Sequence, residues 1–165
     1  MSEARVRFLE HNKKYSESFD DRRLAAQPSM QLAVLTCMDA RIIPEAAFGI
    51  GIGEAHVIRN AGGRATEDAV RSLILSHHVL GTREIFVVHH TDCGMKSVSE
   101  DALCEKLLKE TGHDASHIEF HAFTDPEDAL LEDVECIRAC PFLKDRVTVT
   151  GFMYDVCTGS LCPAE

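Results

Sequence analysis

Apolar positions change their period along the chain, and the changes mark out its elements. Val6, Phe8, Leu9, Tyr15 and Phe19 make a ragged stripe at helical spacing, and Ser2 can cap it, which predicts a helix from about Glu3 to Phe19. Gln31 to Thr36 encloses the unbroken run Leu32–Leu35, too short for a helix and suited to a strand buried on both faces. Ala55 to Ile58 predicts a second short strand. From Thr66 to Leu80, Ala69, Val70, Leu73, Ile74 and His77 recur at helical spacing, with Gly81 as the stop. Ile85–Val88 is again continuous and β-branched, bounded by Gly81 and Gly94, and predicts a central buried strand. Ser97 and Glu100 have capping-box spacing for a helix ending near Gly112. Asp125 and Pro126 open a further helix carrying Ala129, Leu130, Val134 and Ile137. Arg146–Thr150 predicts a last strand, and Gly151–Glu165 reads as a turn-rich tail.

Strand and helix patterns alternate, so the expected class is α/β, with a mostly parallel sheet flanked by helices. The length of 165 residues fits one domain, 1–165, with residues 1–29 as a helical arm and linker around Pro28. The arm has little core of its own, and it can lie on a partner subunit or on its own domain. Asp plus Glu number 27 against 17 Lys plus Arg, a net charge of −10, so neither nucleic acid nor an anionic membrane is an expected partner. Met1–Asp20 carries charges of both signs and no apolar run, so no signal peptide is expected. The seven cysteines then point to free or metal-bound thiols in a reducing cytoplasm.

The candidate chemistry gathers behind two strands. Cys37 ends the first, and His90 and Cys93 follow the central one, where open α/β sheets bind ligands. Thiolate sulfur and imidazole nitrogen hold zinc, and a set of three leaves one position open. His89 competes with His90, but consecutive strand residues face opposite ways, so one of the pair reaches the metal; the turn toward Cys93 favours His90. Asp39 and Arg41 point the same way if the chain stays extended. The arginine fork can then hold the carboxylate ionised and off the metal, leaving it to orient a zinc-activated hydroxide.

C-M-D-A-R at 37–41, R-N-A-G-G at 59–63 and H-H-T-D-C-G-M at 89–95 resemble the β-class carbonic anhydrases, in their short microbial and fungal branch. The resemblance implies one zinc per subunit on Cys37, His90 and Cys93, with an Asp39–Arg41 dyad beside it. It also implies reversible hydration of carbon dioxide to bicarbonate. The minimal unit it implies is a homodimer, often paired into a tetramer, with the first helix on the neighbour. The same motif serves carbonyl sulfide and carbon disulfide hydrolases, so those small substrates form the alternative. A zinc-binding protein without turnover, its fourth position filled by Asp39, is a third reading. Ile42, Ile43, Ala46, Phe48 and Ala61 are the expected pocket lining.

Other features have blander readings. Cys136 and Cys140, four apart, are expected to be small core-facing residues rather than a second metal or redox site. His113, His117 and His121 read as solvent-facing loop residues. Gly62 and Gly63 either offer backbone N–H groups to a substrate oxygen or simply make a turn.

Overall fold

The computed structural model describes residues 2–20 and 24–164; Met1, part of the arm at 21–23 and Glu165 lie outside them. Its centre is a five-stranded sheet made of β1 (Leu32–Cys37), β2 (Ala55–Asn60), β3 (Glu84–His90), β4 (Thr148–Tyr154) and β5 (Leu161–Pro163). The order is β2-β1-β3-β4-β5, with the first four parallel and β5 antiparallel at the edge. Every residue of β1 is buried, as its unbroken apolar run requires of a strand covered on both faces.

Strand alternation divides the core in two. Ala33, Leu35, Ile85 and Val87 face α3 (Glu67–His78) and α5 (Pro126–Ala139), meeting Leu73, Leu130, Val134 and Ile137. Leu32, Val34, Phe86 and Val88 face the other way, toward Ile42, Ile50, Phe48 and Phe123. The helices start where the sequence places them: Thr66 accepts from the N–H of Ala69, and Asp125 accepts from those of Glu127 and Asp128.

Three expectations need correcting. The helix after the central strand, α4 (Glu100–Thr111), is capped by Ser99, whose Oγ accepts from the N–H of Ala102. Ser97 lies instead in the single 3₁₀ turn Gly94–Ser97. The tail is not only turns, because β4 runs on to Tyr154 and the chain folds back as β5. That return is a tertiary pairing, Met153 opposite Cys162, with no alternation of its own to announce it. Cys136 is exposed rather than core-facing, whereas Cys140 is half-buried and packs on the core as expected; both line an apolar groove of about 700 Å³ between α3 and α5.

The arm forms α1 (Glu3–Glu17), none of whose residues is buried, and Phe8 is 77% exposed. Pro28 is buried, and backbone bonds from Ser29 to Gly53 and from Met30 to Glu54 pin the linker to the sheet. No described helix is long and apolar enough to cross a membrane.

Candidate metal centre

The chain runs from β1 to its neighbour β2, then crosses to the other side of β1 as β3. Connections therefore leave the carboxyl ends of β1 and β3 in opposite directions, which opens a crevice between them. Cys37 ends β1, and His90 ends β3 with Cys93 just beyond it. Thr36 Oγ1 donates to the carbonyl of Val88 at 2.8 Å and ties the two strand ends together.

In that crevice the ligand atoms of Cys37, His90 and Cys93 all lie within 4.8 Å of one another, and all three residues are buried. His90 Nδ1 bonds the carbonyl of Thr91 at 2.8 Å, which leaves Nε2 to face the two sulfurs. That Nε2 is buried and has no hydrogen-bond partner. Two soft sulfurs and a free imidazole nitrogen form a donor set that fits zinc. His89 points through the sheet to the α5 side, as strand alternation requires. Its Nε2 lies 3.0 Å from Asp133 Oδ2, and that oxygen is also 3.0 Å from Arg64 Nε. The Arg64–Asp133 ion pair and the His89 ring thus form a buried polar cluster. The other Asp133 oxygen accepts from the N–H of Ala65 at 2.9 Å.

The Asn60–Gly63 loop closes one wall. Gly63 has φ +71°, and a Cβ there would sit 3.0 Å from the backbone N of Cys37, so only glycine lets the loop back onto the ligand. Gly62 lines the cavity, and its N–H is directed to the Cys37 sulfur, so it does more than make a turn. Arg59 fixes the ligand turn by donating to the carbonyls of Cys37 (3.0 Å) and Asp39 (2.8 Å).

Without a metal, the two thiols share a proton unequally. The Cys93 thiol beside Cys37 brings the Cys37 thiol down to about 4 against the opposing effect of burial, with help from His90 and the N–H groups of Asp39 and Gly62. Cys93 is pushed up, first by the Cys37 thiolate and then by burial. Burial works against charging His90, yet the neighbouring Cys37 outweighs it and the net direction is upward. A divalent ion therefore displaces protons from Cys93 and His90. Metal affinity should fall as pH falls, and uptake near neutrality should release about one proton or more. Calorimetry in two buffers of different ionisation heat checks this; uptake without proton release would contradict it.

Arg41 meets Asp39 across a turn, closed by the Ile42 N–H on the Asp39 carbonyl, rather than along the extended chain that the spacing assumes. Its backbone N and Nε donate to Asp39 Oδ1 at 2.9 and 3.0 Å, and Nη2 donates to Oδ2 at 2.8 Å. The guanidinium holds the Asp39 carboxyl down to about 2, so it is ionised at any ordinary pH. Asp39 Oδ2 stands 3.9 Å from His90 Nε2, near the donors but turned to the arginine. Asp92 is the residue that reading the sequence missed. It accepts from Arg41 Nη1 at 2.7 Å, and its carbonyl accepts from Nη2 at 2.8 Å. Its place within H-x-x-C was the available signal, but nothing local says that it faces Arg41.

A cavity of about 300 Å³ opens onto the donors. Of the expected lining only Ala61 is there; Met38, Ala40, Gly62, Gly94 and Met95 supply the rest. Ile42 is buried in the core, Phe48 packs edge-on against Tyr154 at 5.9 Å, and Ile43 and Ala46 are exposed.

A family profile described as "Carbonic anhydrase" matches residues 32–161, a span running from the first residue of β1 into β5. β-Carbonic anhydrase 1 of Mycobacterium tuberculosis is 38% identical over 154 residues, covering 93% of each chain. The chain belongs to the β-carbonic anhydrase family. A solved family structure, the carbonic anhydrase of Streptococcus mutans, superposes with a TM-score of 0.95 at 35% identity, covering 100% of this chain and 99% of that one. The family likeness also reaches carbon disulfide hydrolase of Acidithiobacillus thiooxidans, 33% identical over 162 residues, which span 86% of this chain and 81% of the relative.

Proposed function

We propose that the chain is a zinc enzyme that interconverts carbon dioxide and bicarbonate, with Cys37, His90 and Cys93 holding one zinc. The observation that carries this reading is the buried three-donor cluster beside an ionised, arginine-held Asp39. When bound, zinc supplies Lewis acidity that makes water a nucleophile near neutral pH. The Asp39 carboxylate accepts a hydrogen bond from the attacking water and fixes its direction. Arg41 keeps that carboxylate from turning onto the donors, which speaks against a closed, non-catalytic zinc store. The N–H groups of Asp39 and Gly62 stabilise the Cys37 thiolate. Ala40, Ala61 and the two methionines line the approach without competing hydrogen bonds, as suits a small apolar triatomic.

Hydrolysis of carbon disulfide or carbonyl sulfide is the second reading. It is favoured by the likeness to carbon disulfide hydrolase and by the soft thioethers of Met38 and Met95 at the cavity. Turnover of carbon dioxide, carbonyl sulfide and carbon disulfide under identical conditions separates the readings. Proton release from carbon dioxide without hydrogen sulfide from the other two is the expected result. Hydrogen sulfide as the faster product would transfer the assignment to the hydrolases, and no turnover at all would leave a binding protein. Asp39→Ala should retain zinc and lose about 10²-fold or more in turnover; an undiminished rate would remove Asp39 from the mechanism.

The active unit in this reading is a homodimer, alone or paired as a tetramer. Both α1 and α4 leave every residue short of full burial, and Phe8 and Leu9 stand exposed, as expected of surfaces covered by a second copy. A sedimenting species with the mass of one chain, 18.3 kDa, would count against it. The seven unbridged cysteines suit a cytoplasmic setting.

A further inference from the structure

We infer that Asp92 is a positioning residue: it clamps the Arg41 guanidinium from the β3 side, so that Arg41 can hold the Asp39 carboxylate away from the metal donors. The inference rests on the zinc-site reading above. Asp39 and Arg41 are two residues apart on one loop, and their three mutual bonds form a local ring. Arg59 holds the loop backbone, but the two side chains of the ring can still pivot about their own torsions. The ring has no inherent preference for the orientation in which Asp39 Oδ2 stays 3.9 Å from His90 Nε2. Among the described residues, Asp92 is the one that bonds the Arg41 side chain to another segment, through a carboxylate oxygen at 2.7 Å and a carbonyl oxygen at 2.8 Å. The planar fork of arginine suits the task, since its Nη2 serves both aspartates at once while Nε and Nη1 take one each.

The backbone at Asp92 explains how one residue offers two acceptors. Its φ is +53°, a left-handed conformation that Asp and Asn tolerate better than other non-glycine residues. That twist turns both its carbonyl and its carboxylate toward Arg41 while passing the chain on to Cys93. Asp92 thus has a conformational role and a clamping role, and substitution separates them. Gly keeps the left-handed backbone and removes the carboxylate; Asn keeps both the backbone and an acceptor oxygen. The pair is exposed, 45% for Arg41 and 78% for Asp92, so its loss should cost several-fold rather than orders of magnitude.

The test uses the full chain in two forms. In the metal-free protein, NMR should show hydrogen exchange at Arg41 Nε–H about 3–10-fold faster in D92G than in wild type, with D92N between them. In the Co(II)-loaded protein, azide is titrated while the visible cobalt bands are followed. If Asp39 competes for the open position, D92G should raise the apparent azide dissociation constant about 3–10-fold, because that constant is divided by the fraction of sites left open. D92N should recover most of the loss. In the D39A background, adding D92G should change nothing. A D92G protein that matches wild type in both measurements would reduce Asp92 to a backbone role and overturn the inference, as would an azide effect that persists without Asp39. Failure of the wild type to take up stoichiometric cobalt would overturn the zinc-site reading itself and the positioning role with it.

Discussion

His90→Ala and Cys37→Ala should each purify without stoichiometric zinc, with turnover no higher than that of the chelated wild type. The reason lies in the size of the donor set. Zinc bound by protein ligands gains about 10–16 kcal/mol at neutral pH, so each of a few ligands carries about 3–4 kcal/mol, and losing one weakens binding roughly 10³-fold. Three donors leave no spare to compensate, and Asp39, the nearest substitute, is engaged by Arg41. His90→Ala also removes a fully buried ring and its Nδ1 bond to the Thr91 carbonyl, so its melting temperature is measured beside its metal content. Loss of metal in a variant that still melts cooperatively reports on ligation rather than on unfolding. Cys104→Ala, a half-buried thiol on α4 outside the cluster, serves as the control and should keep its zinc. Metal analysis decides the matter, and full zinc content in both ligand variants would dismantle the proposed site.

The second large effect lies behind the sheet. Asp133→Ala should destabilise the fold by about 3–5 kcal/mol, the usual consequence of removing one partner from a buried ion pair. The side chains of Asp133, His89 and Arg64 are 6%, 1% and 12% exposed, so water cannot replace the missing carboxylate. The N–H of Ala65 loses its acceptor as well, which loosens the loop whose Gly62 faces Cys37. For a chain of this size the melting temperature should fall by roughly 6–20 °C. Asp133→Asn keeps an oxygen for Ala65 and should lose less. A melting temperature within about 2 °C of wild type for the alanine variant would show that the cluster contributes nothing net.

Much of this site was legible before any coordinates. The period-two rule at His89 and His90 assigned the two imidazoles to opposite faces, and they lie there, one with the sulfurs and the other with Asp133. The Asp39–Arg41 contact was expected along an extended chain and is made instead across a turn, whereas the start of α5 followed from Asp-Pro. Expectations failed where a local signal had a competitor two residues away, as with Ser97 and Ser99, or where there was no local signal at all. The pocket lining was of the second kind. Ile42 and Phe48 are near the ligands in sequence, but the turn after Arg41 carries them into the core. Met95 enters the cavity from the far loop.

By itself the sequence determined the α/β class, most helix starts, the buried runs and the three candidate metal donors, because each of these is written in spacing and residue chemistry within one segment. Only the tertiary structure decided that β1 lies between β2 and β3, and that Asp92 reaches Arg41. It likewise decided that Asp133 closes on His89 and Arg64, and that the last residues return as β5. Those facts depend on strand order, register and backbone twist, which bring together side chains dozens of positions apart. No periodicity along the chain records such meetings.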